Sequence, residues 1–251
     1  MTHPVHIGIG GWTYEPWRGT FFPKGLPQSR ELEYAAQRMT AIEINGTYYG
    51  QQKPESFQKW ADAAPDGFVY SVKASRFTTN RRLLAEGAAS VEKFLTHGIT
   101  RLGGKLGPIL WQFAPTKAFD PDDFARFLDL LPKAQEGLRL RHALEVRHES
   151  FRDPRFVDLA KAHGAAIVHA DHATYPEIVE ETADFAYVRL QQAREEEETG
   201  YSAAELDGWA EMVRRWRRTR EVFLFMINGA KVRAPAAAQA LIARLDEGRK
   251  G

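Results

Sequence analysis

The chain alternates between short apolar runs and longer stretches in which apolar residues recur at helical spacing. The apolar runs have the length of buried strands, and several show the period of two that places successive side chains on opposite faces. The predicted strands are Val5–Gly10, Ala41–Asn45, Phe68–Lys73, Gly107–Phe113, His142–His148, Ala165–Asp171, Phe185–Gln191 and Val222–Asn228.

A helical segment follows each predicted strand. The predicted helices are one capped by Ser29, Ser56–Ala63, Ala88–Leu102, one beginning at Asp120-Pro121, one from Asp153-Pro154 to Gly164, Tyr175–Glu181, one capped by Ser202, and Ala236–Leu245. Strict alternation implies parallel strands joined by right-handed crossovers. Because eight parallel strands close a barrel, the sequence predicts an α/β fold, a single (β/α)8 TIM barrel forming one domain over residues 1–251.

An open doubly wound sheet is the structural alternative. Such a sheet usually carries a glycine-rich nucleotide-binding turn after its first strand, and Gly8-Ile9-Gly10-Gly11-Trp12 does not match that pattern. The length of 251 residues also suits one barrel, which typically needs about 250.

Composition narrows the class of protein. With 43% hydrophobic residues the chain can bury a large core, and a net charge of +1 gives no global attraction to nucleic acid or membrane. The lack of cysteine excludes thiol chemistry and predicts a cytoplasmic location. We expect no signal peptide and no membrane partner, because no basic segment precedes an apolar run and no run approaches about 20 residues.

The fifth predicted strand ends in charge. Leu144 and Val146 fall on one face, and Glu145 and Arg147 on the other. In a barrel of this class the active site lies at the carboxyl ends of the strands, so we predict that Glu145 and Arg147 face the barrel mouth. The alternative orientation, with Leu144 and Val146 inside, stays open because barrel interiors favour branched apolar residues.

Polar or aromatic residues also lie at, or just after, the ends of nearly all the remaining strands. Burying several unpaired polar groups costs about 1–3 kcal/mol each, so a ring of polar groups facing a cleft is the more economical interpretation. The predicted site comprises Trp12, Glu43, Asn45, Tyr48, Lys73, Gln112, Glu145, Arg147, Asp171, Arg189, Gln191 and Asn228.

These residues suggest roles. Lys73, Arg147 and Arg189 are the groups that a carboxylate or phosphate requires, although pairing with the acidic residues is an equal alternative. Glu43 or Glu145 is the predicted catalytic acid or base. The aromatic residues Trp12, Tyr48 and Tyr49 would form an apolar wall.

No metal or other cofactor is predicted. Glu145 and His148 lie on opposite faces of their strand, and the three cations oppose a divalent ion. His169 and Asp171 are the other superficially suitable pair. A cysteine nucleophile is excluded and no Gly-x-Ser-x-Gly turn is present.

Several motifs together resemble the YecE-like family, TIM-barrel proteins known as a domain of unknown function. The motifs are Gly10-Gly11-Trp12-Thr13-Tyr14 with Trp17 and Phe22-Pro23, Ile42–Tyr49, Val72–Arg76, Lys105–Phe113, Glu145–His148 and Tyr187–Leu190. The resemblance runs from about Ile7 to Leu241, and it implies a barrel without implying a reaction.

The chain departs from this family at two strand ends. The family usually has His-Gly where this chain has Gln191-Gln192, and paired asparagines where Ile227-Asn228 keeps one. If that histidine is catalytic in relatives, the resemblance implies that this chain is altered or inactive.

Three functions remain open. The leading hypothesis is an enzyme, an isomerase, lyase or hydrolase, acting on a small anionic molecule. The second is a nucleic-acid-binding or nucleic-acid-processing barrel that resembles apurinic endonucleases in architecture. It draws on the mouth aromatics and a helix end with Arg214, Arg215, Arg217, Arg218 and Arg220. The third is a non-catalytic ligand binder.

Overall fold

The computed structural model describes residues 2–247. Parallel strands form a closed barrel in the order β1-β10-β9-β8-β7-β4-β3-β2, which confirms the predicted α/β (β/α)8 architecture. The strands are β1 (Val5–Gly10), β2 (Ala41–Ile44), β3 (Val69–Lys73), β4 (Leu106–Gln112), β5 (Ala134–Gln135), β6 (Leu138–Arg139), β7 (His142–Glu145), β8 (Ala166–Asp171), β9 (Phe185–Leu190) and β10 (Glu221–Met226). The largest difference in a strand bound is at the fifth barrel strand, which ends at Glu145 rather than His148.

Helices surround the barrel. The α-helices are α1 (Glu31–Ala36), α2 (Gly46–Tyr49), α3 (Pro54–Ala63), α4 (Arg76–Thr79), α5 (Ala88–Leu95), α6 (Pro121–Asp129), α7 (Pro154–His163), α8 (Ala203–Trp216) and α9 (Ala234–Glu247). Short 3-10 helices cover Glu15–Trp17, Gln28–Arg30, Leu84–Gly87, Ile99–Lys105, Glu149–Arg152 and Lys231–Arg233.

Most predicted helix ends are confirmed. The side chain of Asp120 accepts the backbone N–H groups of Asp122 and Asp123, each at 3.1 Å, and so caps α6. Helix α7 ends at Gly164, whose φ of 62° is the left-handed conformation that glycine adopts readily. The prediction for Ser29 is wrong, because Ser29 lies inside a 3-10 turn and α1 begins after it.

The helix predicted over Tyr175–Glu181 is also wrong, because these described residues form neither a helix nor a strand. Pro176 removes a backbone donor, and the β-branched Ile178 and Val179 disfavour a helix. The segment covers the outside of β8 instead. Ile178 is buried, and the Thr182 hydroxyl accepts the N–H of Ile167 at 3.0 Å.

Two further differences concern the connections. The helix predicted over Ala88–Leu102 is split, since α5 ends at Leu95 and Gly98 adopts a φ of 103° before a 3-10 turn begins. A small antiparallel hairpin, β5 with β6, precedes β7 and was not predicted. Its turn places Glu136 and Gly137 at positive φ.

The orientation of each strand follows from which residues fill the barrel. The interior cluster contains small and bulky apolar side chains from alternate positions: Ala41, Val69, Leu110, Ala143, Ala166, Val168, Ala170, Phe185, Tyr187, Phe223, Phe225 and Ile227. Leu144 and Val146 belong to the outer cluster, which packs against the helices. The alternative orientation of β7 is therefore excluded, and Glu145 points inward.

No helix within residues 2–247 combines the length and the apolar character that crossing a membrane requires.

Candidate functional site

The barrel opens at the carboxyl ends of its strands into a cavity of about 670 Å³. Lys73 and Gln112 end β3 and β4, and Arg147 follows β7 by two residues. The cavity is lined by Gly10, Gly11, Trp12, Thr13, Ile44, Asn45, Gly46, Tyr48, Tyr49, Gln52, Trp60, Lys73, Gln112, Arg147, Arg189, Ile227, Asn228 and Lys231. We call this space the mouth cavity.

Arg189 holds two carboxylates together at the floor of the mouth cavity. Its Nε and Nη2 atoms donate to the two carboxylate oxygens of Glu43, each at 3.0 Å, and its Nη1 donates to Oε2 of Glu145. Arg189 is 1% exposed and both glutamates are 0% exposed. Although burial opposes the charge, Glu145 and Glu43 raise the pKa of Arg189 above its ordinary value. The three groups therefore form a buried, hydrogen-bonded triad.

Arg147 links the triad to the cavity. Its Nε donates to Oε1 of Glu145 at 2.8 Å, and its Nη2 donates to the Gln112 side-chain oxygen at 2.7 Å. The guanidinium carbon lies 4.6 Å from the centre of the Tyr175 ring, a cation–π distance. Because its side chain is 14% exposed, Arg147 can pair with Glu145 and still face a ligand.

Burial alone would raise the pKa of Glu145. Arg189, Arg147 and Lys73 outweigh that effect and hold the pKa of Glu145 below its ordinary value. Glu145 is therefore ionised at neutral pH.

Two hydroxyl groups support Glu43 from within the barrel. The Tyr187 hydroxyl donates to Oε2 of Glu43 at 2.8 Å, and the Ser71 hydroxyl lies 2.6 Å from the Tyr187 oxygen. Burial and the charge of Glu43 raise the pKa of Tyr187 well above its ordinary value. The sequence reasoning did not include Tyr187 or Ser71 in the site. Their positions two residues before Arg189 and Lys73, on the same strand faces, are the signal that could have found them.

Lys73 differs from the other cations of the predicted site. Its ammonium lies 4.2 Å from the centre of the Tyr48 ring, and it makes no hydrogen bond or ion pair with any residue in 2–247. Lys73 is only 6% exposed. The pKa of Lys73 is lowered to about 8, chiefly because the side chain is buried and secondly because Arg189 is positively charged.

Lys231 is a fourth cation, which the sequence reasoning missed because it lies in the loop after β10. Its ammonium lies 4.6 Å from the Tyr14 ring centre, and burial lowers its pKa. The indole N–H of Trp17 donates to the Lys231 backbone oxygen at 2.9 Å and fixes this loop. The only sequence feature that could have indicated Lys231 is the aromatic loop after β1, whose Tyr14 and Trp17 contact it.

The structure brings most of the predicted site together. Trp12, Asn45, Tyr48, Gln112 and Asn228 line the mouth cavity with the cations, while the glutamates lie beneath it. The side chain of Asn228 donates to the oxygen of the buried Gln191, which does not line the cavity.

The predicted position of Asp171 requires correction. Val168 and Ala170 are the inward residues of β8, so Asp171 faces the helix layer. It lines a separate cavity with Tyr201 and Trp209, and it accepts a hydrogen bond from Gln192 at 2.6 Å. Burial raises the pKa of Asp171 there.

Residues 2–247 contain no group of three or more His, Asp or Glu side chains placed to hold a metal ion.

Known proteins are similar to this chain in sequence or in fold. A region of 150 residues is 27% identical to the UPF0759 protein YecE of Escherichia coli K12, and the alignment covers 59% of this chain and 50% of that protein. The chain thus matches about half the length of that relative.

Two solved structures are similar over nearly the whole chain. A DUF72 family protein of Thermotoga maritima (TM1631) superposes with a TM-score of 0.76 at 24% identity, covering 99% of this chain and 100% of that chain. A DUF72 family protein of Enterococcus faecalis (EF0366) gives a TM-score of 0.74 at 17% identity, covering 96% and 95%. These likenesses show the fold. The family model described as a protein of unknown function, DUF72, matches residues 6–251, and the chain therefore belongs to the DUF72 family.

Proposed function

We propose that this protein is an enzyme that binds a small anionic molecule in the mouth cavity. One observation carries the proposal. Among the described residues that line the cavity, every charged side chain is a cation, and these are Lys73, Arg147, Arg189 and Lys231. A carboxylate or phosphate group is the ligand that such a lining favours.

The cations approach the cavity from separate sides of the ring. Lys73 ends β3, Arg147 follows β7 and Lys231 follows β10. In the barrel order one strand lies between β3 and β7, and two strands lie between each of the other pairs. Arg189 is already occupied by two carboxylates. We therefore assign anion binding chiefly to Arg147, Lys73 and Lys231. Arg189 has a structural role at the base of the cavity, where it pairs with both glutamates.

The predicted acid–base role of the glutamates is narrowed by their environment. Glu145 was predicted to act as an acid or a base. Because its pKa is lowered, Glu145 is ionised and can accept a proton, so the role of a base is the one that its environment supports. Glu43 accepts from Arg189 and from Tyr187, so its contacts favour holding Arg189 in place.

The walls suit a small, partly apolar molecule such as a phosphorylated or carboxylated sugar. Trp12 and Trp60 pack edge to face at 5.2 Å on one side, and Tyr48 and Tyr49 pack likewise at 5.0 Å. The absence of cysteine supports a cytoplasmic location for this activity.

A ligand-binding panel tests the proposal. Inorganic phosphate, sugar phosphates, hydroxy acids and matched neutral sugars are compared by thermal shift and calorimetry. We expect anionic compounds to bind, and Arg147→Ala and Lys231→Ala each to weaken binding by about tenfold or more. Arg152→Ala, an exposed arginine paired with Glu149, is the control and should bind normally. Equal binding of neutral and anionic compounds, or full affinity in both cavity variants, would contradict the anion site.

The nucleic-acid hypothesis receives less support. The arginine-rich segment lies at the carboxyl end of α8, just before β10 begins, and hence at the end of the barrel opposite the mouth cavity. Arg214 donates to the backbone of Arg244, and Arg220 pairs with Glu181. Strong, salt-dependent binding of an abasic duplex would favour this alternative. A ligand that binds without being turned over would favour a non-catalytic binder.

A further inference from the structure

Lys73 is the cation of the mouth cavity whose chemistry the proposed function leaves unexplained. Arg189 and Arg147 donate to carboxylates, whereas the Lys73 ammonium lies over the face of Tyr48 and makes no hydrogen bond or ion pair with residues 2–247. A lowered pKa favours a lysine that must lose its proton. The pKa of Lys231 is also lowered, but Lys73 is the more deeply buried of the two lysines that line the cavity.

We infer that the Lys73 amine is a nucleophile that forms an imine with the carbonyl carbon of an anionic aldehyde, ketone or keto acid bound in the mouth cavity. This inference rests on the proposed function and specifies its substrate class. Arg147 and Lys231, on other sides of the ring, would hold the anionic group while the carbonyl faces β3.

The surroundings of Lys73 favour the unprotonated amine. Burial and the guanidinium groups of Arg189 and Arg147 oppose protonation, while Glu43 and Glu145 favour it, and the balance lowers the pKa to about 8. Roughly a tenth of the Lys73 side chains are then unprotonated at pH 7, compared with well under a thousandth for an exposed lysine. The backbone is also fixed, because the Thr47 hydroxyl donates to the Lys73 carbonyl oxygen at 2.6 Å.

The step balances without an oxidant or reductant. The Nζ lone pair forms a bond to the carbonyl carbon, the carbonyl π electrons move to oxygen, and one N–H proton passes to that oxygen to give a carbinolamine. A proton from solvent then allows the hydroxyl to leave as water, and the nitrogen lone pair forms the C=N bond of a protonated imine. This group withdraws electrons from the neighbouring carbon, which serves an isomerase or a lyase and not a hydrolase.

Reductive trapping tests the inference. The protein is incubated with pyruvate or dihydroxyacetone phosphate and sodium cyanoborohydride, digested, and searched for the secondary amine by peptide mass spectrometry. We expect a saturable adduct on Lys73 that inorganic phosphate suppresses, and about tenfold less adduct with neutral acetone. The rate of Lys73 labelling should level off above about pH 8, whereas that of a free lysine derivative in the same reaction should continue to rise.

Matched variants separate the imine from simple anion binding. Lys73→Arg keeps the charge and should retain phosphate affinity while losing the adduct. Lys59→Arg, at an exposed lysine outside the cavity lining, should keep the adduct on Lys73. An adduct on Lys231, labelling spread evenly over exposed lysines, or no adduct despite intact phosphate binding would each overturn the inference. Failure of the wild-type protein to bind any anion would instead overturn the proposed function.

Discussion

Arg189 forms a two-point hydrogen-bonded ion pair with Glu43 across the inside of the barrel, with both N···O distances at 3.0 Å. Arg189 belongs to β9 and Glu43 to β2, which are separated in the barrel order by β10 and β1. The pair therefore ties together two strands that lie three positions apart in the eight-stranded barrel, beneath the mouth cavity.

Removing the positive partner should strongly destabilise the protein. Arg189→Met leaves Glu43 and Glu145 buried without their shared cation, and breaking a buried pair in this way costs about 3–5 kcal/mol. Urea unfolding followed by tryptophan fluorescence measures the change. Arg152→Ala, which breaks an exposed pair, should leave the free energy of unfolding nearly unchanged. Similar effects of the two substitutions would show that the triad does not stabilise the fold.

Glu145 should make the stability of the protein vary with pH in the acidic range. Its pKa is lower in the folded protein than in the unfolded chain, so its stabilising effect is fully present above the unfolded value and is lost as pH falls through the folded value. We expect Glu145→Gln to be less stable than wild type at pH 7. This deficit should shrink as pH falls below roughly 4.3, because the unfolded wild-type chain then binds a proton at Glu145 while the folded protein does not. Urea midpoints of both proteins across this range provide the measurement, and a constant difference would argue against the assignment.

Lys73 should have the opposite energetic effect. Its pKa falls from 10.5 to about 8 on folding, so the folded state binds fewer protons between these values and stability from this group rises as pH rises. Lys73→Met should accordingly be more stable than wild type at pH 7, by on the order of 3 kcal/mol.

The advantage of Lys73→Met should diminish between pH 8 and pH 10.5 as the wild-type amine loses its proton. Comparing only the difference between the two proteins at each pH cancels the titration of all other groups. Equal stability of the two proteins at pH 7 would mean that the Lys73 ammonium is well solvated or paired.

Gly8 should tolerate no side chain. A Cβ atom there would lie 1.7 Å from the backbone oxygen of Ala41 on the neighbouring strand β2. Gly8→Ala must therefore separate β1 from β2, and we expect the free energy of unfolding to fall by about 1–3 kcal/mol. Gly50 offers a matched control, because a Cβ atom there would meet nothing within 4 Å. Thermal unfolding of the two alanine variants decides the point, and equal melting temperatures would contradict the close strand contact.

The sequence by itself predicted the barrel and the inward faces of its polar strands, while the opposite orientation of β7 was excluded only by the packing of Leu144 and Val146 in the outer cluster. Side chains alternate along a strand, so a glutamate flanked by Ile42 and Ile44 must face away from the apolar helix layer. The same reasoning correctly placed Glu145, Lys73 and Arg189 on inward faces. Helix caps such as Asp120 were predictable because their contacts span only a few residues.

The tertiary structure alone decided the orientation of β8. Ile167 and Val168 are both apolar, so either could have faced inward. The pairing of Ala143 with Ala166 and of Val168 with Tyr187 fixes Val168 inside, and it turns Asp171 away from the mouth.

Which charges meet was likewise decided by the closure of the barrel. Arg189 contacts Glu43, 146 residues away in the chain, and Lys231 reaches the mouth from a loop that Trp17 holds in place. Periodicity fixes the face on which a side chain lies, because it depends only on neighbouring residues. The partner of that side chain depends on strand register and loop packing, which arise only when distant segments meet.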